Sequence, residues 1–200
     1  IRIPAVLVTN SGAELGFQNL SSVTTDDTAA AAAAVGYLAD MGHRKIAVIG
    51  GEREYSDTGR LRYAGVVRAL SERGMTFDAE RYYKTAHYSF DEGYAAMAEL
   101  LRETPEITAV FAMADVMAIG AARAIRDAGK RIPEDISLIG FDGLPICRYY
   151  EPRLSTVTQQ ISYMAEKSYA VLLDAIENDA PARHISAPYT LEKTDSVRKI

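Results

Sequence analysis

The sequence predicts an α/β protein, a parallel sheet sandwiched between helices, and three observations predict it. Apolar runs recur without polar alternation at Ala5–Thr9, Ile46–Gly50, Ala109–Met113 and Ile136–Asp142, with a weaker run at Arg81–Lys84. Runs that stay apolar suit strands buried on both faces. Each is followed by an amphipathic helical stretch, and strands alternating with single helices imply right-handed crossovers in an open three-layer sandwich. Each run also ends in small or polar residues. Ligands bind at strand carboxyl ends in such sheets, so Thr9, Gly50-Gly51, Met113-Ala114-Asp115 and Phe141-Asp142 form the functional shortlist.

The helices follow from their caps. Thr25-Asp26-Asp27-Thr28 offers capping oxygens and negative charge for a helix running to Met41, with Gly42 where a left-handed cap is wanted. Its tract Ala29–Ala34 has strong helix propensity and side chains small enough to pack tightly on a sheet. Further helices are expected over Asp57–Arg73 before Gly74, from Ser89 to just before Pro105, and over Asp115–Ala128 before Gly129, with Asp115 as an N-cap. After Asp142 the rhythm breaks. Pro145 and Pro152 mark a loop, Ser155–Thr158 an extended piece, and Ile161–Glu177 a long helix, with short extended segments around Ile185 and Leu191.

The opening strand and the helix after Gln160 lack sheet partners of their own, which predicts two lobes. Residues 1–25 and 159–188 belong to an N-terminal lobe, and residues 26–158 and 189–200 to a C-terminal lobe. A chain that opens inside a strand without an initiator Met reads as part of something longer, with the first lobe incomplete.

Composition narrows the function. The 200 residues carry a net charge of −5, which argues against a broad surface for nucleic acid or anionic membrane. The single cysteine, Cys147, has no partner for an internal disulfide and reads as a packing thiol. No Cys/His cluster has zinc-site spacing, and no apolar run reaches the ~20 residues of a membrane span. Neither a dinucleotide fingerprint, a Walker phosphate loop nor a serine-nucleophile elbow is present. The three histidines are scattered, and His87 has no nucleophile or orienting carboxylate at a useful spacing. The expectation is a protein that is not an enzyme and takes no metal or cofactor.

Three segments then carry a resemblance: Gly42-His43-Arg44-Lys45-Ile46-Ala47-Val48-Ile49-Gly50-Gly51, Arg60-Leu61-Arg62-Tyr63-Ala64-Gly65, and Ile132 through Asp142. With Pro152–Val157 and Leu191-Glu192-Lys193, they resemble the effector-binding core of lactose/galactose-repressor-type (LacI/GalR) transcription regulators across essentially the whole chain. The resemblance implies a periplasmic-binding-protein-like fold, a small sugar-like effector in a cleft between lobes, and a cytoplasmic homodimer. Operator DNA would be bound only through an N-terminal helix-turn-helix absent from this chain. The alternative is a periplasmic sugar receptor of a transport system, against which the absence of Trp stands, since such receptors often stack sugars on Trp.

Site chemistry follows from both sources. The Arg62 guanidinium can grip vicinal hydroxyls, a carboxylate or a phosphate with two parallel bonds, and Asp142 can accept two hydroxyl hydrogen bonds. The resemblance places both in the pocket. It also puts Tyr88 where a ring stacks on a sugar face or base, and Gln159 where relatives contact ligand or hinge. Ser56 and Thr58 are candidate hydroxyl donors near a strand end. Thr9 and Ala114 stand where many relatives carry Asp and Asn, which makes the pocket less charged than in typical sugar-binding members. Dimer contacts are expected from the helix near Asp91, the helix with Val116, Met117 and Arg123, and the loop Ile146–Tyr150.

Overall fold

The computed structural model describes residues 3–200. In chain order the elements are β1 (Ala5–Val8), β2 (Leu20–Thr25), α1 (Asp27–Asp40), β3 (Ile46–Gly50), α2 (Asp57–Ser71), α3 (Ala79–Tyr82) and β4 (Tyr83–Thr85). There follow α4 (Phe90–Glu103), β5 (Ala109–Ala112), α5 (Asp115–Asp127), β6 (Ser137–Asp142), β7 (Ser155–Gln159), α6 (Ile161–Glu177), β8 (His184–Ala187) and β9 (Tyr189–Glu192). The chain divides into two compact units, one of residues 1–27 with 159–189 and one of residues 28–158 with 190–200.

The smaller unit is a three-stranded sheet in the order β1-β2-β8, all parallel. Helix α6 packs across β1 and β2, and the core is Val23, Met164 and Ala187 with Val6, Tyr163 and Ile185 at its margin. Strand β2 was not expected, because Leu-Ser-Ser-Val-Thr-Thr reads as too polar for a buried strand. Its serines are nonetheless buried and satisfied. Ser21 Oγ accepts from the Arg183 amide at 3.0 Å, and Ser22 Oγ pairs with His184 Nδ1 at 2.8 Å. Short hydroxyls that find partners on the neighbouring strand bury at little cost.

The larger unit holds a six-stranded sheet in the order β4-β3-β5-β6-β7-β9, parallel from β4 through β7. The chain steps outward from β3 to β4, then back past β3 to β5 and β6. With right-handed crossovers these opposite steps put α2 on one face and α4 and α5 on the other. Strands β3 and β5 are buried at every residue, as non-alternating runs require. The Arg81–Lys84 run splits instead of forming one strand: the Asp78 side chain accepts from the Arg81 amide and caps the single turn α3, so extension begins only at Tyr83.

Close helix contacts on this unit depend on missing Cβ atoms. Helices α4 and α5 meet where Gly93 lies on the Met117 backbone and Gly120 lies under the Phe90 carbonyl. Met117, expected on a dimer surface, is therefore core and fully buried. Residues 194–200 close the amino edge of the sheet. Leu138 and Ser196 exchange hydrogen bonds, Ser137 Oγ accepts from the Arg198 amide, and the Ile200 amide donates to Met41. Buried His43 donates from Nε2 to the Arg198 carbonyl and accepts from the Thr108 hydroxyl, and burial holds its pKa below the ordinary value, which keeps the ring neutral.

The crossing of α4 and α5 is testable. Gly120→Ala should lower stability by about 1–3 kcal/mol through steric conflict with Phe90. Gly129→Ala, at a left-handed residue with nothing within 4 Å, should lose only roughly 1 kcal/mol from backbone strain. Urea unfolding measures both, and a smaller loss at Gly120 than at Gly129 would refute the close crossing.

Candidate functional site

Strand order reverses at β3, so the loops leaving β3 and β5 diverge to opposite faces at the carboxyl edge, the place where such sheets present ligands. The shortlisted residues of the larger unit stand at that edge. Gly50 abuts the Met113 sulfur and the Tyr83 hydroxyl, and a Cβ on Gly51 would stand 2.5 Å from the Tyr88 hydroxyl. Both glycines are thus filled over by side chains, and the buried Tyr83 hydroxyl donates to the Gly51 carbonyl. Burial raises the pKa of that hydroxyl, so it stays a donor.

Arg62 comes from the second turn of α2, which Ser56 starts by accepting from the Gly59 amide at 3.2 Å. It is 5% exposed, an unusual place for a guanidinium. Its plane lies over Phe141 with the central carbon 3.6 Å from the ring centroid, Nη1 donates to the Met113 carbonyl, and Nη1 stands 3.9 Å from Asp142 Oδ1. The cation is held by an aromatic face, a carbonyl and a carboxylate, which together replace the water it gave up. Phe141 is itself packed against Phe111 in the core, 6.5 Å between ring centroids. Core, cation and carboxylate form one stack.

Asp142 ends β6 in an uncommon backbone state, with φ 120°. Only Thr9, Tyr88, Asp142 and Asp179 combine a side chain with positive φ among the described residues. Three of those four are site candidates from the sequence. Backbone strain of this kind costs about 1–3 kcal/mol and concentrates where geometry serves binding.

The remaining candidates divide. Tyr88 is 38% exposed and immediately precedes Ser89, the cap of α4. Thr58 lies in the first turn of α2, and Ala114 is the buried N-cap of α5, with no side-chain capping bond. Thr9 and Gln159 stand at the carboxyl ends of β1 and β7 and belong to the smaller unit, where the Thr25 hydroxyl donates to Gln159 Oε1 at 2.7 Å.

Two readings need correction. Asp115 does not cap α5: its carboxylate is fully buried and turns to the β6–β7 side, accepting from the Leu144 amide at 2.7 Å and the Thr156 hydroxyl at 2.6 Å. Cys147, buried as a packing thiol, lies beside the same carboxylate. Burial pushes the Asp115 carboxyl up to about 6, with Asp142 adding in the same direction, against Thr156, Leu144 and Cys147, which pull it down. His87 does have orienting carboxylates, Glu92 at 2.6 Å from Nδ1 and Glu52 at 3.6 Å from Nε2, and the Glu92 bond raises its pKa. The chain spacing of five residues to Glu92 carried that signal; the approach of Glu52 is tertiary. Among the described residues no group of His, Cys, Asp and Glu is arranged to hold a metal ion, and no helix is long and apolar enough to cross a membrane.

Known proteins share this fold. A model of the periplasmic binding protein-like domain matches residues 35–197. The HTH-type transcriptional regulator MalR of Clostridium butyricum is 35% identical over 199 residues, 98% of this chain and 58% of that protein. The structure of a transcriptional regulator CelR–cellobiose complex has a TM-score of 0.88 at 30% identity, covering 96% of this chain and 58% of its own. A LacI family regulator from Enterococcus faecium with bound ribose gives 0.87 at 30% identity, over 98% of this chain and 72% of its own. The chain thus spans little more than half of the MalR relative.

Asp115 sets a measurable pH dependence. Folded, it keeps its proton to about 6, whereas the ordinary value is 3.8, so between those limits the folded state binds more protons and stability falls as pH rises. The difference corresponds to about 3 kcal/mol. Urea unfolding of the parent and Asp115→Asn from pH 4 to 7 should show this slope in the parent and lose it in the variant. A parallel pair of curves would refute the assignment.

Proposed function

The chain belongs to the periplasmic-binding-protein-like domain family as found in LacI-family transcriptional regulators, and from that premise we propose that it senses a carbohydrate-like effector for a DNA-binding protein. The observation that carries this reading is the Arg62–Asp142 pair, backed by Phe141, at the carboxyl edge where β3 and β5 diverge. A guanidinium and a carboxylate side by side match a polyol, which offers acceptors to the one and hydroxyl donors to the other. Tyr88 supplies a half-exposed ring for a sugar face, and Ser56 and Thr58, at the start of the helix that carries Arg62, are the proposed hydroxyl donors. Ala114, at the end of β5, completes the proposed contacts of the larger unit, and Thr9 and Gln159, at the ends of β1 and β7, are the proposed contacts of the smaller one.

The relatives reported above are regulators, two of them with sugars bound, which favours a regulator over a transport receptor. They are not enzymes, and this chain is proposed to act by binding alone, in the cytoplasm. Operator DNA would be contacted by a region outside this chain. The effector would act by preferring one conformational state through its differential contacts.

A homodimer is the proposed assembly. Phe90 and Tyr94 on α4, and Ile146 and Tyr149 after β6, are exposed apolar side chains of the larger unit. Their burial against a second copy would remove a patch that a monomer leaves in water. Light scattering on the intact regulator at micromolar concentration should give a dimer, and a monomer would refute it.

Calorimetric titration with a panel of sugars and nucleosides, cellobiose and ribose included, tests the site. Arg62→Ala and Asp142→Ala should each weaken binding by roughly 2–5 kcal/mol, since the partner charge loses its counterpart. Arg62→Lys should also be damaging, because one ammonium cannot replace the planar fork over Phe141. Unchanged binding in both alanine variants would dismiss the clamp.

A further inference from the structure

We propose that Asp115 is a positioning residue that holds the Asp142 carboxylate in its binding orientation by bracing the turn from Gly140 to Cys147. The argument starts with Gly140, two residues before Asp142. A Cβ there would strike Asp115 Oδ1, so the carboxylate lies directly on the strand backbone. Its other oxygen accepts from the Leu144 amide at 2.7 Å, two residues after Asp142. The carboxylate therefore spans both sides of the bend that contains Asp142 (φ 120°) and Gly143 (φ 77°).

Two further groups fix the brace. The Thr156 hydroxyl donates to Oδ1 at 2.6 Å from β7, whose register sets Thr156 opposite Gly140. The Cys147 thiol faces the same carboxylate from the 3₁₀ turn Pro145–Arg148. One buried carboxylate on α5 thus ties β6, β7 and the following turn together, touching the Gly140 backbone and accepting from Thr156 on β7 and from Leu144 in the turn. A neutral packing residue cannot do this, because the Leu144 amide and the buried Thr156 hydroxyl would lose their common acceptor. Placing a second carboxylate close to Asp142 is electrostatically unfavourable, and burial works against its ionised form as well. An ionisable group retained at that position is explained by the geometry it enforces on the turn.

This inference rests on the pocket reading above, and its test needs no effector. Hydrogen exchange and thiol labelling of the intact protein, followed peptide by peptide, compare the parent with Asp115→Ala, Thr156→Val and Thr156→Ser. Asp115→Ala should speed exchange across residues 142–147 and labelling of Cys147 by roughly tenfold or more, with peptides of α1 and β3 unchanged. At position 156 the order of the two variants is decisive. Serine keeps the hydroxyl and should stay close to the parent, whereas valine keeps the shape and should loosen the turn. A packing role predicts the reverse order, with valine the better tolerated on a strand. Parent-like exchange in Asp115→Ala, or valine outperforming serine, overturns the proposal. If the turn loosens as stated while Asp142→Ala leaves carbohydrate binding intact, the error lies in the pocket reading and the brace stands.

Discussion

A parallel sheet covered on both faces has no room for polar chemistry along its strands, and this constraint organises the larger unit. Strands β3 and β5 are buried throughout, so charge is confined to the two edges where strands end. At the amino edge, polar groups meet each other: Ser137 Oγ and the His43 ring bond the Arg198 backbone, Ser155 Oγ accepts from the Thr194 amide, and Ser196 Oγ in turn bonds the Leu138 carbonyl and the Ser155 amide. At the carboxyl edge the side chains are longer and charged, and Arg62, Asp115 and Asp142 sit within one network of aromatic, carbonyl and hydroxyl partners. No buried side-chain nitrogen or oxygen lacks a hydrogen-bond partner among the described residues. The amino edge is closed by neutral hydroxyls with the exposed Arg153–Asp195 pair outside them, and the other edge carries the buried Arg62 and Asp115.

The burial of Arg62 shows how the carboxyl edge draws on the core. A guanidinium removed from water needs replacement for each part of its surface. Phe141 covers its face, and the Met113 carbonyl and Asp142 meet its rim. Because Phe141 and Asp142 are adjacent, their side chains leave opposite sides of the strand unless the backbone turns. The positive φ of Asp142 is that turn. A residue that reads from sequence as an ordinary strand end is where extended geometry is abandoned.

Much of the fold was legible because periodicity is a local signal. Unbroken apolar runs marked β3, β5 and β6, and glycines 42, 74 and 129 marked helix ends that do adopt left-handed backbone. Strand β2 escaped because its burial depends on partners more than 160 residues away, Arg183 and His184, which no window along the chain contains. The candidate site was legible in part for the same reason. Strand carboxyl ends can be counted off, which brought out Gly50-Gly51, Met113 and Phe141-Asp142. What Asp115 does was not legible: a carboxyl at a helix start has a local use, and its preference for Leu144 and Thr156 exists only once β6 and β7 are paired. Tyr83 carried no signal for its bond to Gly51, since that contact spans two strands and the loop after one of them.

Discontinuity has a consequence for how the molecule is made. Each unit takes residues from both halves of the sequence, the smaller from 1–27 and 159–189, the larger from 28–158 and 190–200. On a ribosome the chain emerges from its amino end, so β2 waits for β8 and the sheet of the larger unit waits for the residues that close its amino edge. Until residue 198 is out, the His43 ring, the Ser137 hydroxyl and the Leu138 amide have no tail to meet. A nascent sheet in that condition presents an open row of backbone groups, which is the kind of edge that pairs with a wrong neighbour. Residues 194–200 therefore decide when the earlier ones stop being vulnerable.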